Sequence, residues 1–249
     1  MSKTSSLQPA EAAIRRKVGR PARLTRELVA EAAHEVGFEN LTMRTVADHL
    51  GVSVPGLYHY VRNKEDLLRL AAEVSSGRMQ LPEDHGQHWA VWLYECAVHN
   101  RRAFVAEPGL LKQFVDGAIG ADKNSDSMDT VLGTLVRQGF TIHEARLAYG
   151  LISEFAIGAA VSIIRERLAA VEGRPTLAEF HRVLAVRDPA ELAHIRALVA
   201  DITTDPTTGF HESLGTILRG IAAERGSRWG PIEDKLKALA ADHSTRAAR

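Results

Sequence analysis

Residues 41–64 read LTMRTVADHLGVSVPGLYHYVRNK. Thr42 and Ser53 each stand where a hydroxyl can accept a hydrogen bond from an orphan backbone N–H at a helix start. Each is flanked by an apolar pair, Leu41 with Val46 and Val52 with Leu57, that staples the incoming chain. Gly51, just past Leu50, suits the left-handed residue that ends a helix. Two short helices meeting at a glycine, the second carrying two tyrosines, predict a helix-turn-helix.

The same signals continue on both sides. Thr25 between Leu24 and Val29 starts an earlier helix that Gly37 ends, and Asn63 with Asp66 resembles a capping box for a helix from Lys64 to about Met79. Leu28, Val29, Ala32, Ala33 and Val36 form one apolar stripe, Val46, Ala47 and Leu50 a second, Leu57 and Val61 a third. Three such stripes can share a small core. Arg44, Val54, Pro55, Gly56, Tyr58, His59 and Tyr60 remain near the opposite side, where the first turn of a recognition helix meets the major groove. The tyrosine phenols can donate to phosphate oxygens, Pro55 and Gly56 keep the surface shallow, and Lys64 adds a cation.

The run from Leu24 to Leu70, with GRPARLTR, EVGFENLTMRTVADHLGVS and PGLYHYVRNKEDLL, resembles the N-terminal domain of the TetR family of bacterial transcriptional regulators. The resemblance implies DNA contacts from Arg44, Val54, Pro55, Gly56, Tyr58, His59, Tyr60 and Lys64. Val54 departs from the polar side chain often found at a base-reading position. An apolar residue can touch a thymine methyl but cannot read guanine, which leaves Arg44 as the strong hydrogen-bonding candidate for a base edge.

Charge supports the same reading through its distribution. The chain of 249 residues has 31 basic and 31 acidic residues, so net charge points to no partner. Yet Arg15, Arg16, Lys17, Arg20, Arg23 and Arg26 follow one another without an acid, directly before the first helix. Residues 1–23 are expected to form a flexible basic arm, and Gly19-Arg20-Pro21 resembles the core of a minor-groove AT-hook, making Arg20 a further DNA-contact candidate.

Beyond Leu70 the pattern is helical throughout, so the fold class is all-α: a three-helix DNA-binding domain (24–70), a linking helix, and a larger helical effector-binding and dimerisation domain (71–226), followed by a partly helical tail (227–249). Helices are expected near His88–Ala106, Pro108–Ala118 and Met128–Gln138, then from Glu144 to about Val171 behind a Thr141–Glu144 capping box. Further starts fall at Thr176 with Glu179 and at Asp188–Glu191; another helix runs from about Gly209 to Glu224, and a last turn or two lies within Pro231–Ala241. The Gly120–Asp126 and Thr203–Gly209 segments read as loops.

Two faces suit a partner helix. Ile152, Ala156, Ala159 and Ile163 lie on the long helix, and Leu214, Ile217, Leu218 and Ile221 on the last long one. The family resemblance implies that these helices build a homodimer, whose two recognition helices, about 34–36 Å apart, read the halves of a palindrome. For a ligand pocket the candidates are Trp92, Leu93, Cys96, His99, Phe114 and Phe155, drawn from a wider aromatic set that includes Phe104.

Other chemistries find little support. His85 and His88 have no third ligand nearby, and HExxH, CxxC, GxSxG and Gly-rich phosphate loops are missing, so no metal, cofactor or catalytic role is expected. No run approaches the ~18 uninterrupted apolar residues of a membrane span, and the lone Cys96 fits a reducing compartment, so the cytoplasm is the expected location. The expected function is a ligand-responsive repressor binding an operator duplex as a homodimer and a small-molecule effector. The alternatives are an activator, a regulator controlled by a protein partner, or a scaffold with a vestigial helix-turn-helix.

Overall fold

The computed structural model of the protein describes residues 24–117, 121–201 and 206–247. Within them the chain forms twelve helices and no strand. The first three are α1 (Arg26–Val36), α2 (Met43–Leu50) and α3 (Val54–Leu57). Each starts at its expected cap: Thr25, Thr42 and Ser53 sit in extended conformations and accept from the N–H of Leu28, Thr45 and Gly56. Gly51 adopts the left-handed conformation, φ 66°, that lets α2 stop and α3 turn away. The three helices close over Val29, Ala33, Leu41, Val46, Leu57 and Val61, all 2 % exposed or less.

Helix α4 (Lys64–Arg78) joins this unit to the rest. Asn63 caps it by accepting from Asp66 N–H, while the return bond of the expected box lands one residue early, from Arg62 N–H to Asp66 Oδ2. The 70/71 division falls inside this helix. Leu67, Leu70 and Ala71 complete the N-terminal core, and Ala72 belongs to a separate cluster with Phe104, Leu110, Leu111 and Ala160. Two bonds clamp α4 along α1, His34 Nδ1 with Ser75 Oγ at 2.8 Å and Arg78 with Glu31 at 2.5 Å.

The larger body contains α5 (Trp89–Ala106), α6 (Pro108–Val115), α7 (Ala121–Arg137), α8 (Ile142–Val171), α9 (Thr176–Ala185), α10 (Ala193–Asp201), α11 (Pro206–Glu224) and α12 (Gly230–Ala247). Helix α5 is its axis, buried along most of its length and packed against α8, α11 and α12. The Thr141–Glu144 capping box starts α8 as expected.

Several boundaries differ from the sequence reading. Residues 121–126 continue α7 and 206–209 begin α11; Gly120 and residues 203–205 lie outside the described residues. Helix α6 ends at Val115 because Gly117, at φ 70°, turns the chain. Thr176 is not a cap: its N–H and hydroxyl both donate to Glu166 of α8, and Pro175 precedes the helix. Asp188 instead closes a turn by accepting from Ala190 N–H, which delays α10 to Ala193. The expected tail is an 18-residue helix, α12, with Ile232 and Leu236 buried in the main core.

Helix α8 also corrects the membrane reading. An 18-residue window within it has mean hydropathy 1.8, so by length and composition it would suffice to cross a membrane. Its Ala145, Ala148, Ile152, Ala156 and Ala160 are packed inside the helical body, but only 22 % of the window is buried.

Candidate functional site

The helix-turn-helix presents a small polar face. Arg44 is largely exposed; among the described residues it pairs with Asp48 one turn on at 3.8 Å, a contact too open to restrain it strongly. Pro55 and His59 are exposed, and Tyr58 is 54 % exposed. The α-helical part of the recognition element is short, Val54–Leu57. It continues as turns, with Tyr58 N–H donating to Val54 O and Tyr60 N–H to Leu57 O, which carry the backbone as far as Val61.

Three expected contacts are placed otherwise. Tyr60 points inward: its hydroxyl donates to Leu24 O at 2.8 Å, its ring packs on the N-terminal core, and its own carbonyl accepts from Arg26 at 3.0 Å. A phenol with a satisfied, partly buried hydroxyl is a pin between helix starts, not a free phosphate donor. Val54 is half-buried against the same core. Gly56 is also half-buried, its N–H spent on Ser53 Oγ. Arg20 lies outside the described residues.

Lys64 is exposed in the first turn of α4, where the helix dipole disfavours a cation and favours an anion. Exposed Arg62 stands two residues before it, a cation the sequence reading passed over. The two cations stand beside a helix start that is already capped by Asn63 and carries Glu65 and Asp66 in its first turn. With Arg44, Tyr58 and His59, the face can grip a duplex backbone and read one or two base edges.

Behind this unit lies a cavity of about 410 Å³. Helix α4 gives it Ser76, and Met79 follows just past its end; α5 gives Asn100 and Phe104; α6 gives Leu110 and Phe114; α8 gives Arg146, Tyr149, Gly150, Ser153, Glu154 and Ile157. Leu81, Ser127 and Met128 complete the wall. The lining is mostly apolar, yet Asn100 and Ser153 bury polar atoms there, both within hydrogen-bonding reach of the Tyr149 hydroxyl. Burial pushes the Tyr149 phenol up, so it remains protonated. A few polar groups set in an apolar wall are what orient a small ligand, and Asn100, Tyr149 and Ser153 supply them here.

Of the six pocket candidates only Phe114 lines this cavity. Trp92, Leu93 and Cys96 are at most 1 % exposed in the main core, nearer the start of α5 than Asn100 and Phe104. Trp92 Nε1 is already spent on Pro82 O, and burial pushes the Cys96 thiol up. Phe155 stacks on Phe210 with ring centroids 5.1 Å apart, and His99 is half-buried with its pKa lowered by desolvation. Asn100, Tyr149 and Ser153 were missed because nothing local marks them. His88 caps α5, its Nδ1 accepting from Ala90 N–H.

The dimer candidates divide. Ile152, Ala156, Leu214 and Leu218 are fully buried within one chain, where α8 and α11 pack on α5, so they cannot present a surface. Ala159, Ile217 and Ile221 are half-buried against that core, and Ile163 is half-buried at the far end of α8. The outward side of α8 instead carries Leu147, Leu151, Val161 and Leu168, 44–62 % exposed, with Gly158 among them.

A helix-turn-helix with exposed cations, set on a helical body that encloses an apolar cavity, defines a DNA-binding transcriptional regulator. Comparison with known proteins agrees. Residues 26–71 match the bacterial regulatory proteins of the tetR family, and residues 81–225 match the tetracyclin repressor-like C-terminal domain. The chain belongs to the tetR family. It is 29 % identical over 216 residues to the class D tetracycline repressor of Escherichia coli, spanning 82 % of this chain and 91 % of that protein. An HTH-type transcriptional repressor of Mycobacterium tuberculosis is 28 % identical over 231 residues, 88 % of each chain. In fold the chain is similar to the TetR family protein ActR of Streptomyces coelicolor in complex with actinorhodin, with TM-score 0.66, 23 % identity, and 82 % and 97 % of the two chains covered. Helix α12 lies beyond the matched C-terminal domain.

Proposed function

We propose that this regulator is a repressor that binds a palindromic operator as a homodimer and is released by a small amphipathic effector held in the 410 Å³ cavity. One observation carries the reading: a single rigid helix serves both sites. Helix α4 completes the DNA-binding core through Leu67, Leu70 and Ala71, is clamped to α1, and walls the cavity with Ser76 and, at its C-cap, Met79. A ligand that fits one placement of α4 better than another therefore shifts the recognition element with it. The repressor names of the similar curated proteins and the ligand bound in ActR support this reading.

Dimerisation is supported by the exposed apolar stripe of α8 and by α9 and α10, which bury no residue within their own chain. Contiguous apolar surface on such a scale calls for a protein partner, and a second copy supplies the symmetry that a palindrome requires. The place of action is the cytoplasm, with the DNA.

Selection of bound duplexes from a random pool should return a palindrome. Titration of cell extract or candidate amphiphiles into that complex should then release it. Gly150→Leu, which fills open cavity space, should leave operator affinity intact and abolish release. A complex that no extract or compound ever dissociates would overturn effector control.

A further inference from the structure

A second hollow of about 460 Å³ adjoins the central cavity and shares Ser76, Met79, Leu81 and Ser127 with it. Its outer walls are the segment after α4 and one stripe of α7, including Thr130, Thr134 and Arg137. Trp92 lies along its inner side. We propose that this hollow is the passage by which the effector reaches the central cavity, and that the Asp84–Arg137 ion pair is the latch across it. The inference rests on the reading of the central cavity as the effector site.

The bonds that hold the segment between α4 and α5 explain why the latch falls there. Toward α5 it is tied firmly, with Trp92 Nε1 donating to Pro82 O at 2.9 Å and Gln87 Nε2 to Glu95 Oε2 at 3.0 Å. Internally it is a formed turn: Gly86, at φ 78°, donates its N–H to Asp84 Oδ1, and Gln87 Nε2 donates to Glu83 O. Toward α7, the side-chain bond found among the described residues is Arg137 Nη2 to Asp84 Oδ2 at 2.9 Å.

Asp84 thus uses one oxygen to shape the turn and the other to close it against α7. Helix α7 is itself anchored, with Val131 and Leu135 fully buried, so what can part from it is the Asp84 turn between the ties at Pro82 and Gln87. Arg137 also donates to Thr134 Oγ1 at 3.1 Å, which aims the guanidinium across the gap. The pair is 64 % and 23 % exposed. A contact that open biases the passage shut without barring it.

Stopped-flow fluorescence with the neutral dye N-phenyl-1-naphthylamine and the full chain tests this. Arg137→Gln and Asp84→Asn should each raise the association and dissociation rates together, by roughly twofold to fivefold, the range an exposed ion pair controls. The dissociation constant should stay unchanged, and Arg137→Lys, which keeps the cation, should exchange more slowly than Arg137→Gln. Rates unmoved by either single variant, or a change confined to dissociation, would overturn the latch. Gly150→Leu separates the two claims. If it abolishes dye binding while the latch variants exchange like the parent, the passage is wrong and the cavity stands. If binding survives Gly150→Leu, or the parent shows no saturable binding, the cavity reading fails and the passage with it.

Discussion

Gly109, in the first turn of α6, lies so close to Phe38 that a Cβ built on it would stand 2.1 Å from Phe38 Cβ. Phe38 packs against both the DNA-binding core and the cluster containing Phe104 and Leu110, two residues that also line the effector cavity. The two halves of the protein therefore meet at this contact as well as through α4. Gly109→Ala should force them apart, costing about 1–3 kcal/mol of stability in chemical denaturation as overpacking does. Adding Phe38→Gly, which removes the Cβ together with the ring, should recover part of that loss, and a double-mutant cycle without coupling would sink the idea.

The reading face separates into base and phosphate contacts. Arg44→Ala should relax preference at one base pair in each half-site, by about 1–3 kcal/mol. Lys64→Ala should weaken all duplexes alike and flatten the salt dependence of binding by about 0.9 for each phosphate left without its cation. If both variants bind as the parent does, in sequence preference and in salt slope, the face is misassigned.

Tyr60 and Tyr58 should behave differently despite their proximity. Tyr60→Phe removes the bond to Leu24 O and should cost about 1 kcal/mol of stability with the salt slope of DNA binding unchanged. Tyr58→Phe, at an exposed position, should leave stability alone and weaken DNA binding. The reverse pattern would show that Tyr60 is the DNA contact.

Acidification should loosen the start of α5. His88 Nδ1 accepts from Ala90 N–H, which requires the neutral ring, and burial holds its pKa below the ordinary 6.5. As pH falls, the unfolded chain takes up this proton before the folded one, so the stability His88 contributes is complete above about pH 6.5 and declines below it. Melting curves between about pH 7.5 and pH 5.5 should show the decline. His88→Asn keeps an acceptor but cannot titrate, so its decline should be shallower, and an equal decline would exclude His88 as a contributor.

The exposed side of α8 can be probed against its buried side. Leu151→Glu, at a residue 51 % exposed in one chain, should give monomers in sedimentation and abolish operator binding while the monomer stays folded. Ile152→Ala, at a residue fully buried, should instead lower stability by about 2–5 kcal/mol through the cavity it leaves. A dimer that survives Leu151→Glu would move the interface elsewhere.

The sequence by itself determined the elements that local chemistry settles. Thr25, Thr42, Ser53 and Thr141 cap their helices through bonds to backbone only three residues away, and Gly51 needs no distant partner to turn left-handed. These signals placed the helix-turn-helix, the exposed Arg44, Tyr58 and Lys64, and the long α8. Only the tertiary structure decided which side of each apolar helix faces what. Ile152, Ala156, Leu214 and Leu218 have the same apolar character whether they meet a partner subunit or α5, since periodicity reports that a face is buried and not against which surface. For the same reason the aromatic run of α5 suggested a pocket at Trp92, while the central cavity opened two turns further along, at Asn100 and Phe104. Tyr60 was drawn inward by Leu24 O, a partner 36 residues away. Contacts at such separations depend on how the helices pack together, and no local pattern encodes that.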